Sequence, residues 1–158
     1  MDGFDVNALR QFAVERWPKE MGPVHGVGHW DRVAQNGRLL YVEGADRDVI
    51  AAFAYLHDSQ RQSNGPDLEH GQRAAHFVDE IRDTYLRALT DEQIALLKEA
   101  CALHTVEHRT GNITVDICFD ADRLDLSRVD ITPNPELMAT ERGAAIAGLS
   151  QSFSETKR

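Results

Sequence analysis

Apolar residues recur at three- and four-residue intervals along most of the chain, and no segment alternates with the two-residue period of a half-buried strand. Phe4, Leu9, Phe12 and Ala13 define a first helix over residues 5–17, stopped by Pro18. After the Gly/Pro-rich connection MGPVHGVG, a second helix is predicted over 28–43, with Val33, Leu40 and Tyr41 inward and Gly44 as its stop. Asp46 opens an apolar third helix over 46–58, DRDVIAAFAYLHD. SQRQSNGP is a loop by composition. Asp67 is the expected N-cap of a helix over 68–88 with Glu69 in its first turn. Asp91 follows Thr90 and opens a helix over 91–108 with Ile94, Leu97, Ala100 and Cys101 on one face, broken by RTGN. ITVDICFDADRLDLSRV reads as a short lead and then a helix, ITPNP interrupts, and a last helix is predicted over 135–148 before a frayed tail. These elements specify an all-α bundle of six to seven helices. With no repeat and no linker, residues 1–158 are expected to form one domain.

Composition narrows the functions such a bundle can serve. Seventeen Lys and Arg against 26 Asp and Glu give a net charge of −9. No basic run is present, so nucleic-acid binding is not expected, because the phosphate backbone rewards clustered cations. A small anionic substrate remains compatible if a metal or local arginines reverse the field. No apolar run approaches the ~20 residues of a membrane span. The acidic start MDGFDVNALRQF lacks a positive, apolar leader, so a cytoplasmic location is expected. Cys101 and Cys118 do not form a CxxC pair and read as reduced, partly buried thiols. The sequence sets no oligomeric state.

The chemistry lies in the histidines and their acidic companions. Seven histidines occupy positions 25, 29, 57, 70, 76, 104 and 108. His29 begins one predicted helix, His57–Asp58 ends the next, His70 lies in the first turn of another, His104 lies near the end of another, and Asp122 follows in a later segment. A bundle can bring such helix ends to one mouth, as metal sites between facing helices require. His57 and Asp58 point ~100° apart on a helix and so cannot both face the core, but both can grip an ion beside the helix end. Two His and two Asp balance a divalent ion and leave coordination positions open. Such mixed N/O sites suit Mn, Fe, Co or Mg better than a closed structural zinc.

Three segments carry a resemblance. HWDRV at 29–33, LHDSQ at 56–60 and DADRLD at 120–125 resemble the three motifs of the HD superfamily of metal-dependent phosphohydrolases, in order and spread over residues 25–128. The resemblance implies an all-α HD domain of the small, single-domain kind. It places the metal ligands at His29, His57, Asp58 and Asp122. DLEHGQRAA and ACALHT are similar to the extra histidines of the two-metal branches, so His70 and His104 are expected to hold a second ion, with Asp58 bridging. The GYP signature of the cyclic-di-nucleotide branch is missing, which argues against cyclic-di-GMP hydrolysis.

The implied cofactor is one or two divalent ions of Fe, Mn, Co, Ni or Mg. The implied reaction is attack of metal-activated water on a phosphomonoester or phosphodiester of a nucleotide-like or other small molecule, with Asp58, His70 and His104 as catalytic residues. Two other outcomes fit the resemblance: a mixed-valent di-iron oxygenase with the same His/His-Asp/His/His/Asp set, and a non-catalytic metal-binding module.

The loops 59–68 and 109–115 are where substrate recognition is expected. Arg61 and Asn64 are candidate substrate-binding residues, Arg61 because a guanidinium can hold a phosphate bidentately. His25 is expected at the pocket edge, with His108 and Arg109 as further edge candidates. Asp125, three residues after Asp122, is expected to orient a ligand histidine, and Arg123 to form a salt bridge. His76 is a surface or support residue. Trp17 and Trp30 are packing anchors.

Overall fold

The computed structural model describes residues 3–156, and every regular element among them is helical. The helices are α1 (Val6–Arg16), α2 (Val27–Leu40), α3 (Arg47–Leu56), α4 (His70–Ile81), α5 (Asp91–Leu103), α6 (Ile113–Arg123) and α7 (Glu141–Thr156). Short 3₁₀ turns lie at Lys19–Met21, Leu126–Val129 and Pro135–Leu137.

α3 is the axis of the bundle. Seven of its residues, Val49, Ile50 and Ala52 through Leu56, are buried. That is why its sequence is apolar on all sides rather than on one stripe. It packs against α1, α2, α5 and α6. Its start is sharp because the Asp46 carboxylate accepts the amides of Asp48 and Val49 at 3.1 Å. α2 buries His29, Trp30, Val33, Ala34, Gly37 and Leu40, a helical stripe facing α3. A Cβ on Gly37 would lie 2.5 Å from Ile50 Cγ2, so glycine sets the α2–α3 spacing. Trp17 and Trp30 meet edge to face at 5.3 Å.

Helix ends moved from the expected positions for identifiable reasons. α2 stops at Leu40 rather than residue 43, and Gly44 lies beyond it in a turn at φ +98°. α4 runs to Ile81 rather than residue 88, where the Thr84 hydroxyl donates to Ile81 O and competes with the helical amides. Asp67 does not cap α4. The Arg73 guanidinium and the Gln62 amide take its carboxylate instead, and Glu69 stands at the cap position without a side-chain bond. α5 has the full Thr90–Gln93 capping box, buries the expected face of Ile94, Leu97, Ala100 and Cys101, and ends at Leu103 rather than residue 108. α6 starts at Ile113 with no lead, because the Asn112 side chain accepts from Val115 N. The expected 135–148 helix is a 3₁₀ turn followed by α7, which continues through Thr156 where a frayed tail was expected.

The break before α7 is anchored by Asp120, whose role was not apparent in the sequence. Its fully buried carboxylate accepts the amides of Ala139 and Thr140 and the Thr140 hydroxyl at 2.7–2.8 Å. Both cysteines are buried and free, and burial pushes both thiols up. Among the described residues, no helix is long and apolar enough to cross a membrane.

α4 and α5 pack closely, and the contact passes through Gly71. A Cβ there would lie 2.5 Å from the Cys101 carbonyl oxygen. This approach places His70, beside Gly71, against His104, at the end of α5. Gly71→Ala is therefore expected to push the two helices apart and cost about 1–3 kcal/mol of overpacking. Thermal unfolding should show a lower midpoint.

Candidate metal centre

Five helix ends supply the candidate ligands. His29 comes from the first turn of α2, His57 caps the C-terminus of α3, His70 opens α4, His104 caps the C-terminus of α5 and Asp122 closes α6. Asp58 follows in the turn after α3. All of these except Asp122 are buried, and the Asp122 side chain is 19% exposed at the rim.

The ligand atoms form two groups. One oxygen or ring nitrogen from each of His29, His57, Asp58 and Asp122 lies within 4.8 Å of the others. The same holds for Asp58, His70 and His104. Asp58 belongs to both and gives each a separate oxygen. Its Oδ2 lies 3.2 Å from His29 Nε2 and 3.4 Å from His57 Nε2. Its Oδ1 lies 3.1 Å from His70 Nε2 and 3.7 Å from His104 Nε2.

The protonation pattern shows what these groups lack. His57 Nδ1 donates to the Phe53 and Ala54 carbonyls, His70 Nδ1 to Asp67 O, His104 Nδ1 to Cys101 O and His29 Nδ1 to Asp125 Oδ2. In a neutral ring, a donating Nδ1 leaves Nε2 as a bare lone pair. Yet His29 and His57 approach Nε2 to Nε2 at 3.1 Å, and His70 and His104 at 3.0 Å. Asp122 Oδ1 is buried with no hydrogen-bond donor aligned on it. Acceptors packed face to face need a shared proton or a metal ion between them, and the nitrogen and oxygen donor set fits a divalent ion.

Electrostatics agree. Burial opposes ionisation of Asp58, but the surrounding histidines, His57 first and then His104, His25 and His29, outweigh it and hold the carboxyl well below its usual range. Asp122 is likewise penalised by burial and held well below the usual range by His57 and His29. Burial works against a charge on His29, but the carboxylates of Asp122, Asp125 and Asp58 raise its pKa to about 10.

The remaining candidates fall around this core. Asp125 is 2.7 Å from His29 Nδ1, where it fixes the ring's tautomer, and its other oxygen takes Arg32 at 2.7 Å. His25 is buried, donates Nε2–H to Asn64 O at 3.3 Å and turns an unpartnered Nδ1 to Asp58 Oδ2 at 3.6 Å. Arg61 Nη1 holds Ser63 O and Gly65 O, while its buried Nε is unpartnered 3.5 Å from Asp58 Oδ1. Asn64 spends its amide on Met21 O, so it braces the loop against the first 3₁₀ turn. Arg123 pairs with Asp120 at 3.3 Å. His76, His108 and Arg109 are exposed.

A solved structure of a predicted HD superfamily hydrolase from an uncultured Thermotogales bacterium superposes with a TM-score of 0.77, covering 95% of this chain and 87% of that chain at 23% identity. The chain has the HD-domain fold. No protein-family model and no curated protein matches its sequence.

Two outcomes follow for this centre. In chelator-treated protein, the raised His29 pKa contributes stability that is fully present below its unfolded value of about 6.5 and lost as pH rises toward about 10. The depressed carboxyls of Asp58 and Asp122 contribute stability present above about 4 and lost at lower pH. Denaturant midpoints across pH 3–10 should therefore fall on both sides, and a saturating divalent ion should flatten the alkaline limb. Asp125→Ala should weaken metal retention about 10–100-fold, as chelator competition would show.

Proposed function

We propose that the protein is a metal-dependent phosphohydrolase acting on a phosphomonoester or phosphodiester of a small, nucleotide-like or other organic molecule. His29, His57, Asp58 and Asp122 would hold one divalent ion, and Asp58, His70 and His104 a second. The observation that carries this reading is the double acceptor cluster sharing one carboxylate. A shared carboxylate with one oxygen on each side suits a two-ion site of the kind that clamps both the attacking and leaving oxygens of a phosphoryl transfer. Charge supports it as well. Two divalent ions against Asp58 and Asp122 leave a local charge of 4 − 2 = +2, which matches a phosphate dianion on an otherwise acidic chain.

Bound divalent ions supply an acidified water and neutralise charge on the phosphoryl oxygens. The chain's own groups do the rest. Asp125 keeps the His29 ring oriented, and the backbone carbonyls do the same for His57, His70 and His104. Arg61 stands beside Asp58 Oδ1 with an unsatisfied N–H that can meet a phosphoryl oxygen. His25 Nδ1 faces Asp58 as an acceptor for a proton of the entering water. The acidic surface disfavours nucleic acid, and a cytoplasmic setting matches the reduced cysteines.

A di-iron oxygenase is the second reading, favoured by the completeness of the six-residue His/His-Asp/His/His/Asp set. Oxygen uptake and a mixed-valent spin-resonance signal in partly reduced, iron-loaded protein would support it.

Elemental analysis of purified protein should give close to two ions per chain. Mn- or Mg-loaded protein should hydrolyse phenyl phosphate or bis(4-nitrophenyl) phosphate. Asp58→Asn should lower kcat by about 10³-fold or more. Turnover that survives both chelation of the wild type and the Asp58→Asn substitution would sink the proposal. Arg61→Gln should raise KM about 10–100-fold with metal content retained, because a hydrogen bond to a charged group contributes about 1.5–3 kcal/mol.

A further inference from the structure

Two buried nitrogens face the two oxygens of Asp58. Arg61 Nε lies 3.5 Å from Oδ1 and His25 Nδ1 lies 3.6 Å from Oδ2, and neither has a hydrogen-bond partner. Three successive main-chain carbonyls of one loop aim both side chains. Arg61 Nη1 donates to Ser63 O at 3.0 Å and to Gly65 O at 3.1 Å. His25 Nε2–H donates to Asn64 O, between them, at 3.3 Å. That bond leaves Nδ1 of a neutral ring as the bare acceptor toward Asp58.

The loop that supplies these carbonyls is lightly held. Residues 62–66, QSNGP, are exposed and include no aromatic or branched apolar side chain. The ends are fixed. Arg61 N donates to Asp58 O at 3.2 Å, and the Asp67 carboxylate takes Arg73 at 2.6 Å and the Gln62 amide at 2.8 Å. Among the described residues, the hydrogen bonds that tie 62–66 to a distant part of the chain both run through Asn64. Its side-chain amide donates to Met21 O, and its carbonyl accepts from His25. Lifting the middle of the loop breaks these two bonds and uncovers no apolar core, which is the pattern of a segment that opens locally at low cost.

In its present position the loop also shuts the centre. The Asp58 side chain is 4% exposed and that of Arg61 12%. The exposed edge of Asp122 does not open a way to them, because Arg61 Nε, His25 Nδ1 and Asp122 Oδ1 itself are all buried. A phosphoryl oxygen can meet Arg61 Nε only after the loop has moved.

We propose that residues 61–67 form a gate over the centre and that Asn64 is its latch. Closed, the loop aims Arg61 and His25 at the two oxygens of Asp58; released, it uncovers Asp58 to a phosphate ester. Asn64 is thus a positioning residue that touches no substrate and acts through Arg61 and His25. The role of the gate in turnover rests on the phosphohydrolase reading above, whereas its opening does not.

The test uses the full chain with the exposed latch removed, Asn64→Ala. In metal-free protein, the Arg61 and Gln62 amides should exchange about five- to tenfold faster than in the wild type, the weight of one hydrogen bond, with exchange inside α3 unchanged. EDTA should strip Mn from the loaded variant faster by a similar factor, about five- to tenfold. With phenyl phosphate, Asn64→Ala should raise KM as Arg61→Gln does. The double variant should be no worse than Arg61→Gln alone, because both changes act through one guanidinium. Unchanged exchange at Arg61 and Gln62, an unchanged rate of Mn loss, or KM effects that multiply in the double variant would each overturn the gate. Faster exchange and faster Mn loss with no turnover of phenyl phosphate would uphold the gate and overturn the hydrolase reading. Turnover with unchanged exchange would do the reverse.

Discussion

Four imidazole Nε2 atoms and two carboxylates converge on one small volume, and the Nδ1 of each ring is already committed to a carbonyl or carboxylate oxygen. The protein interior tolerates such a cluster only around positive charge, because an unpaired buried acceptor costs on the order of 1–3 kcal/mol. The rest of the bundle can be read from this constraint. α3 is buried on all sides because it carries the central His57–Asp58 doublet inward. Gly71 is small because His70 must reach His104. Asp125 is ionised and doubly bonded because His29 needs a fixed tautomer.

The members of this cluster could be picked out in the sequence because metal chemistry restricts residue types so strongly. His29, His57–Asp58, His70, His104 and Asp122 were each marked by position at a helix end, and the structure brings all of them together. Asp125 was legible for a related reason: three residues past Asp122, it stays near the same face. The helix count and the buried face of α5 followed from periodicity alone.

What the sequence hid depends on long-range partners. Nothing local says that Asp67 will be taken by Arg73 and Gln62 rather than cap α4. Asp120 reads as one more acid in DADRLD, and its hold on residues 139 and 140 appears only when α7 packs back. Gly71 looks like an ordinary helical glycine until Cys101 O is placed 2.5 Å from where its Cβ would be. His25 Nδ1 and Arg61 Nε gain meaning only once Asp58 is seen between them.

Three of the four clustered rings are steered by main-chain carbonyls three or four residues earlier: His57 by Phe53 and Ala54, His70 by Asp67, His104 by Cys101. The ring and the local turn of backbone are thus one mechanical unit. When a turn loosens, the carbonyl swings away and the imidazole loses its aim in the same motion. Order at the helix termini and the aim of the rings are accordingly linked, and amide exchange at the ends of α3 and α5 should slow in step with any divalent ion the cluster takes up.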